Sequence, residues 1–297
     1  MAAAVAASAI SAGEQSKSNP GAPTQGRNWK ANLKLGFEQR KNGTILVQRS
    51  HQGPLYVQKP FYPEGQSSCH TYILHPPAGI AGGDDLTVSV ELGIDAHALL
   101  TTPAATKFYR ANPYVGSLRQ DLTLKQGATL EWLPQENIIF KGADALIDTR
   151  VHLQETARLI AWDSQCLGRP ACDEDFAEGR CRQRFEIWKD QQPLFIDALD
   201  VRAETAMRHA PWGLAGQAVN ALMLAYPANG ELLSEVNQFL QQKRQAFFSA
   251  TLVDGLLLMR FLSHDSELVQ NSMRQLWQLL RPQILNRQAC IPRIWNT

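Results

Sequence analysis

A chain of 297 residues, 44% hydrophobic and 19% charged, has enough apolar side chain to bury a large core as one domain or two. Its 29 basic and 28 acidic residues leave a net charge of +1, and no Lys/Arg run exceeds two residues, which excludes a face built to neutralise nucleic-acid phosphates. No stretch reaches the roughly 18 apolar residues of a membrane-spanning helix, and five cysteines at uneven spacing form no disulfide framework, which favours a reducing, cytoplasmic setting.

Residues 1–26 are rich in Ala, Ser and Gly and contain no aromatic residue. The first positive side chain is Lys17, so the segment lacks the basic start of a secretory signal and reads as a disordered tail. Residues 27–297 form the remaining unit. From Trp29 the pattern is strand after strand. Ala31, Leu33, Leu35 and Phe37 alternate with polar residues at period two, and Asn42-Gly43 supplies a hairpin turn before Thr44–Arg49 returns.

The stretch from His51 to Asp85 holds five prolines and five glycines between short apolar runs. Proline fixes φ and glycine permits positive φ, so the segment reads as two short strands, Leu55–Gln58 and Cys69–His75, joined by stiff turns. Leu86–Leu92 alternates cleanly. Further strands are expected at 97–102, 106–110, 115–125, 128–133, 138–140, 146–153, 158–168, 180–188 and 193–201. Their regular spacing predicts a mostly β fold, an antiparallel sandwich or barrel or a β-helical wrap, with no repeat visible in the sequence.

Only the last quarter carries helical periodicity. Leu232, Leu233, Val236, Phe239 and Leu240 form a stripe over Glu231–Gln242, started at Asn229-Gly230. A strand pair is expected at 247–252 and 256–262. Asp265 then caps a second helix with Leu268, Val269, Met273, Leu276, Trp277 and Leu280 on one face, and Pro282 is expected to end it.

Candidate chemistry is sparse. His70 and His75 lie five residues apart on one strand and so point to opposite faces. Cys69 and His75 share a face but sit about 20 Å apart at roughly 3.3 Å per residue. Cys166, Cys172 and Cys181 contain no CxxC pair and read as unrelated free thiols. The glycines of Gly79–Asp84 lack the Lys-Ser/Thr of a phosphate loop and precede a strand, so their role is conformational. No Gly-x-Ser-x-Gly elbow and no close His-x-His pair occurs. Nothing signals catalysis.

Longer motifs say more. Gly53–Glu64 (GPLYVQKPFYPE), Cys69-His70, His75–Asp84 (HPPAGIAGGD), Thr106–Arg110, Leu130–Gln135, Ala161-Trp162, Cys166–Pro170 and Pro292–Thr297 resemble the urease accessory protein UreD family, called UreH in some species. The likeness runs in order from about Trp29 to the last residue. It departs at Cys172-Asp173, where the family tends to have an apolar residue and then Gly. The resemblance implies a non-enzymatic scaffold that works with the helical protein UreF and the GTPase UreG on urease apoprotein. It implies help in installing two nickel ions and a carbamylated lysine, within a strand-rich wrap bearing two helices. No tightly bound cofactor is implied, and Ni²⁺ would be transient.

A nickel conduit needs weak, repeated oxygen and imidazole contacts rather than a closed thiolate cage. Strand-adjacent candidates within the matching stretches are His70, His75, Asp84, Glu131, Glu136 and Glu174. Two rival readings are a pure adaptor that joins UreF to urease without touching nickel, and a cupin-like metalloenzyme using His70, His75 or Asp84.

Overall fold

Alternation along the strands Asp85–Leu92, Gly116–Leu124 and Asp144–Leu153 decides the architecture, because each offers one apolar face to a shared interior. The computed structural model describes residues 29–111, 113–243 and 247–296, so the expected tail at 1–26 lies outside the described residues. The chain opens with β1 (Lys30–Arg40), β2 (Gly43–Gln52) and β3 (Tyr56–Phe61). It then winds through four rungs. The first is β4 (Cys69–Leu74), β5 (Gly79–Ile80) and β6 (Asp85–Leu92), and the second is β7 (His97–Thr101), β8 (Thr106–Phe108) and β9 (Gly116–Leu124). The third is β10 (Thr129–Leu133), β11 (Asn137–Ile139) and β12 (Asp144–Leu153), and the fourth is β13 (Arg158–Leu167) followed by β14 (Arg180–Lys189). After β15 (Gln192–Arg202) and β16 (Val219–Tyr226) come helix α1 (Gly230–Lys243), the hairpin β17 (Phe248–Val253) and β18 (Leu256–Ser263), and helix α2 (Ser266–Leu285).

The rungs stack in parallel. One sheet runs β15-β14-β12-β9-β6-β1-β2, and the other continues β17-β18-β16-β13-β10-β7-β4-β3, with β5, β8 and β11 forming a short third face. Register places Cys69, Ala98, Leu130 and Leu159 in one column, all buried. The strand-rich wrap with two helices is as the sequence predicts. Pairing direction is the new finding: rung strands pair parallel, and antiparallel pairs occur at the flanks, β1–β2, β3–β4, β14–β15 and the β13-β16-β18-β17 series. Alternation within a strand reports its faces, not the direction of its neighbour.

Two apolar cores result. One fills the space between the sheets, and the second lies between the outer face of the β10–β13–β16–β18 sheet and both helices. β16 lies beneath the helices and, like β7, β10 and β13, is buried on nearly every residue, so its run Val219–Tyr226 lacks the period-two pattern of β6, β9 and β12. The expected end of α2 at Pro282 is also displaced. The helix continues to Leu285 because Ile284 and Leu285 are buried, and Asn286 in the left-handed region closes it. Asp265 Oδ1 accepts from the Leu268 N–H at 3.0 Å, the expected cap.

The proline- and glycine-rich stretch sets the first rung. Gly83 has φ +90° and donates its N–H to the Val115 carbonyl at 2.9 Å, tying that rung to the next. A β-branched residue is strained at this φ, so Gly83→Val is expected to destabilise the chain by about 1–3 kcal/mol. Urea unfolding should show a lower midpoint at unchanged slope. An unmoved midpoint would contradict the strain.

Candidate functional site

Two clusters of buried polar side chains stand out among the described residues. The first lies under α2. Trp277 and Arg281, one turn apart, face the strands, and Glu131 of β10 faces them from below. Fully buried, Glu131 accepts from His97 Nε2 at 2.9 Å, Trp277 Nε1 at 2.7 Å, Arg281 Nε at 2.9 Å and Arg281 Nη2 at 3.1 Å. Arg281 Nη2 also donates to Glu64 Oε1 at 2.5 Å, and its Nη1 donates to the Gln288 carbonyl. The same Glu64 oxygen lies 2.6 Å from His70 Nε2.

Burial alone would raise both carboxyl pKa values. For Glu64 the hydrogen bonds and charges of His70 and Arg281 overcome burial and bring it down to about 2. For Glu131, His97 and Arg281 likewise prevail, and the pKa is lowered. Four donors on two oxygens leave Glu131 saturated, so its chemistry is that of an anchor for α2. His70 Nδ1 stays buried without a partner.

The second place is the interior between the sheets. Asp163 of β13 is buried, and Asn137 Nδ2 and Gln183 Nε2 donate to it at 3.1 and 3.3 Å. The groups that hold it are amides rather than cations. Burial therefore dominates and pushes its pKa up to about 6. Gln120 of β9 accepts from Thr149 Oγ1 at 2.7 Å in the same interior.

The six residues singled out by sequence do not converge. His70 and Glu131 share the network under α2, linked through Arg281 and Glu64. His75 faces the interior instead, which agrees with the opposite-face reading of the pair, and burial lowers its pKa against the opposing charge of Asp84. Asp84 Oδ2 accepts from the Ala81 N–H at 2.8 Å and Oδ1 from the Trp29 N–H at 3.2 Å, an assignment to turn structure. Glu136 Oε2 accepts from Gln270 Nε2 at 3.1 Å, and Glu174 pairs with Arg169 across a short turn. Among the described residues, no three His, Cys, Asp or Glu side chains are grouped to hold one metal ion. All five cysteines are free.

Glu64, His97 and Arg281 are the site residues that sequence reasoning missed; Asp163 is visible in the sequence as one of the strand-adjacent carboxylates, with Asp148, but lies outside the candidate set. Asp163 carried a usable signal, since it interrupts the apolar run 159–162 inside a strand. Glu64 and Arg281 meet across 217 residues, which no local pattern reveals.

A strand-rich wrap of parallel rungs, with two helices packed on one sheet and buried charges locking α2 to it, defines a β-solenoid class of protein. Residues 30–296 match the family model described as "UreD urease accessory protein". The protein named urease accessory protein UreD from Citrobacter koseri is 46% identical over 274 residues, 91% of this chain and 93% of that one. Its namesakes from Klebsiella aerogenes and Alkalilimnicola ehrlichii are each 43% identical, over 93% and 94% of this chain and 99% and 95% of theirs. The chain belongs to the UreD family of urease accessory proteins, which are maturation factors rather than enzymes. Among the described residues, no helix is long and apolar enough to cross a membrane.

Proposed function

We propose that this chain matures urease in the cytoplasm as a scaffold. With UreF and the GTPase UreG it docks on urease apoprotein and helps deliver nickel, which crosses the interior as cargo rather than as a resident cofactor. The observation that carries the nickel part is Asp163. A carboxylate held by Asn137 and Gln183 between apolar sheets, with its pKa pushed up to about 6, is costly to keep unless its oxygens serve a passing cation.

The six sequence candidates enter this reading unequally. His75 lines the interior cavity and Glu136 is held by Gln270 of α2, whereas Glu131 and His70 are engaged in the lock beneath that helix. Asp84 and Glu174 hold turns, and either could touch nickel only by releasing its present donors. That dispersal is the observation favouring the rival adaptor reading, in which the chain joins UreF to urease without contacting the metal.

Asp163→Asn combined with Glu136→Gln separates the two. Both changes keep shape and remove charge. The transit reading expects the complex with UreF, UreG and urease apoprotein to assemble normally while nickel per urease active site falls at least about fivefold, the loss of roughly 1 kcal/mol of metal preference. The adaptor reading expects nickel content and assembly to fall together or both to stay unchanged. Full nickel content in an assembled double variant would end the transit reading through these two residues.

A further inference from the structure

The apolar core between the two sheets is interrupted near the turns of the first three rungs. A cavity of about 90 Å³ lies inside the first three rungs and opens between the turns that leave β4, β7 and β10. Leu55, Ile73, Ile80, Leu86, Val88 and Leu118 make its walls. Proline stiffens each turn at the rim, through Pro76-Pro77, Pro103 and Pro134, so the mouth is preformed.

One wall is polar in an unusual way. Trp132 lines the cavity, is 3% exposed, and its indole N–H has no acceptor. A buried donor without a partner costs about 1–3 kcal/mol, and natural structures keep few of them. His75 also lines the cavity, and burial favours its neutral form. Gln135 and Asn137 reach the wall too, but Arg274 and Asp163 already engage them. No carboxylate, ammonium or guanidinium is in the lining. Such a chamber suits neither a bare cation nor an anion. Its volume takes several waters or one compound of a handful of non-hydrogen atoms.

We propose that this cavity is a binding site for a small neutral carbonyl compound, its apolar body against the aliphatic walls and its oxygen accepting from Trp132 Nε1–H. Apolar pockets with a few fixed polar groups are the usual form of small-ligand sites. An occupant would touch the turns of three successive rungs at once, through Ala78, Pro103–Ala105 and Pro134, and so brace them against one another. This site does not depend on the nickel reading, which rests on Asp163; the two regions adjoin at Asn137, which lines the cavity and donates to that carboxylate.

Cyclopentanone and cyclopentane serve as probes on the full chain, one with an acceptor and one without. Titrating cyclopentanone should shift the Trp132 indole N–H resonance, assigned by its loss in Trp132→Phe. That variant should bind cyclopentanone about tenfold more weakly, the value of one hydrogen bond, and cyclopentane equally well. If Trp132→Phe does not fold, Ala105→Trp at the mouth should abolish the shift in a chain with an unchanged melting temperature. An indole resonance unmoved at saturating probe, or a cavity holding ordered water alone after soaking, would overturn the proposal. Equal weakening of both probes would also overturn it, because the loss would then reflect wall shape and not the acceptor.

Discussion

Arg281→Ala is expected to lower the unfolding free energy by about 3–5 kcal/mol, the usual cost of leaving a buried charge without its partner. Glu131 would lose two of its four donors while staying fully buried, and Glu64 would lose its 2.5 Å contact to the same guanidinium. The damage should spread along the whole C-terminal segment, which is tied to successive rungs. Gln270 holds Glu136, Arg274 holds Gln135, Arg287 holds Ser67 and Trp295 Nε1 donates to Thr101 Oγ1 at 2.8 Å. Urea unfolding gives the magnitude, and fluorescence of Trp277 and Trp295, packed ring to ring, reports release of α2. The double variant Glu131→Gln/Arg281→Met should lose clearly less than the sum of its single variants, since it leaves no unpaired charge. In the wild type both carboxyls have lowered pKa values. Their contribution is therefore complete above the ordinary glutamate pKa of 4.5 and fades as pH falls from there toward about 2. A loss below about 1 kcal/mol in Arg281→Ala would show that apolar packing, not this lock, holds α2.

How far the sequence reached can be followed residue by residue. Leu86, Val88, Val90 and Leu92 announced β6 because their alternation is local, and Asp265 announced its helix because a cap bonds within one turn. The parallel stacking of Leu86, Leu118 and Ile147 depends on residues about thirty apart and has no local signature. Val219–Tyr226 is buried on nearly every residue, so neither face could be told from the other. Among site residues, His70 and Glu131 were legible as unusual polar groups in strands, but their use was not. Assigning Glu131 to α2 requires Trp277 and Arg281, 146 and 150 residues away. Family likeness supplied the class of function, while the partners that assign Asp163 its environment, Asn137 and Gln183, come from two different rungs.

Asp163→Asn should stabilise the chain at pH 8, and the size of the gain should track pH. In the folded chain burial holds the carboxyl pKa at about 6, whereas the unfolded value is 3.8. The sign follows from which state sheds its proton first. Below pH 3.8 the group is protonated in both states and imposes no penalty. Between 3.8 and about 6 the unfolded chain ionises while the folded one resists, so stability falls by up to about 1.4 kcal/mol per pH unit. Above pH 6 the penalty levels off at about 3 kcal/mol, the product of that slope and the shift. Asparagine has the shape of the protonated acid and keeps an acceptor for Asn137 or Gln183, yet never ionises. Unfolding curves at pH 4, 6 and 8 should therefore show the variant nearly equal to wild type at pH 4 and more stable by about 2–3 kcal/mol at pH 8. A difference that does not change with pH would mean that Asp163 does not titrate where its surroundings place it. The same variant is expected to deliver less nickel to urease while unfolding less readily, and that opposition is what marks a residue retained for function against its stability cost.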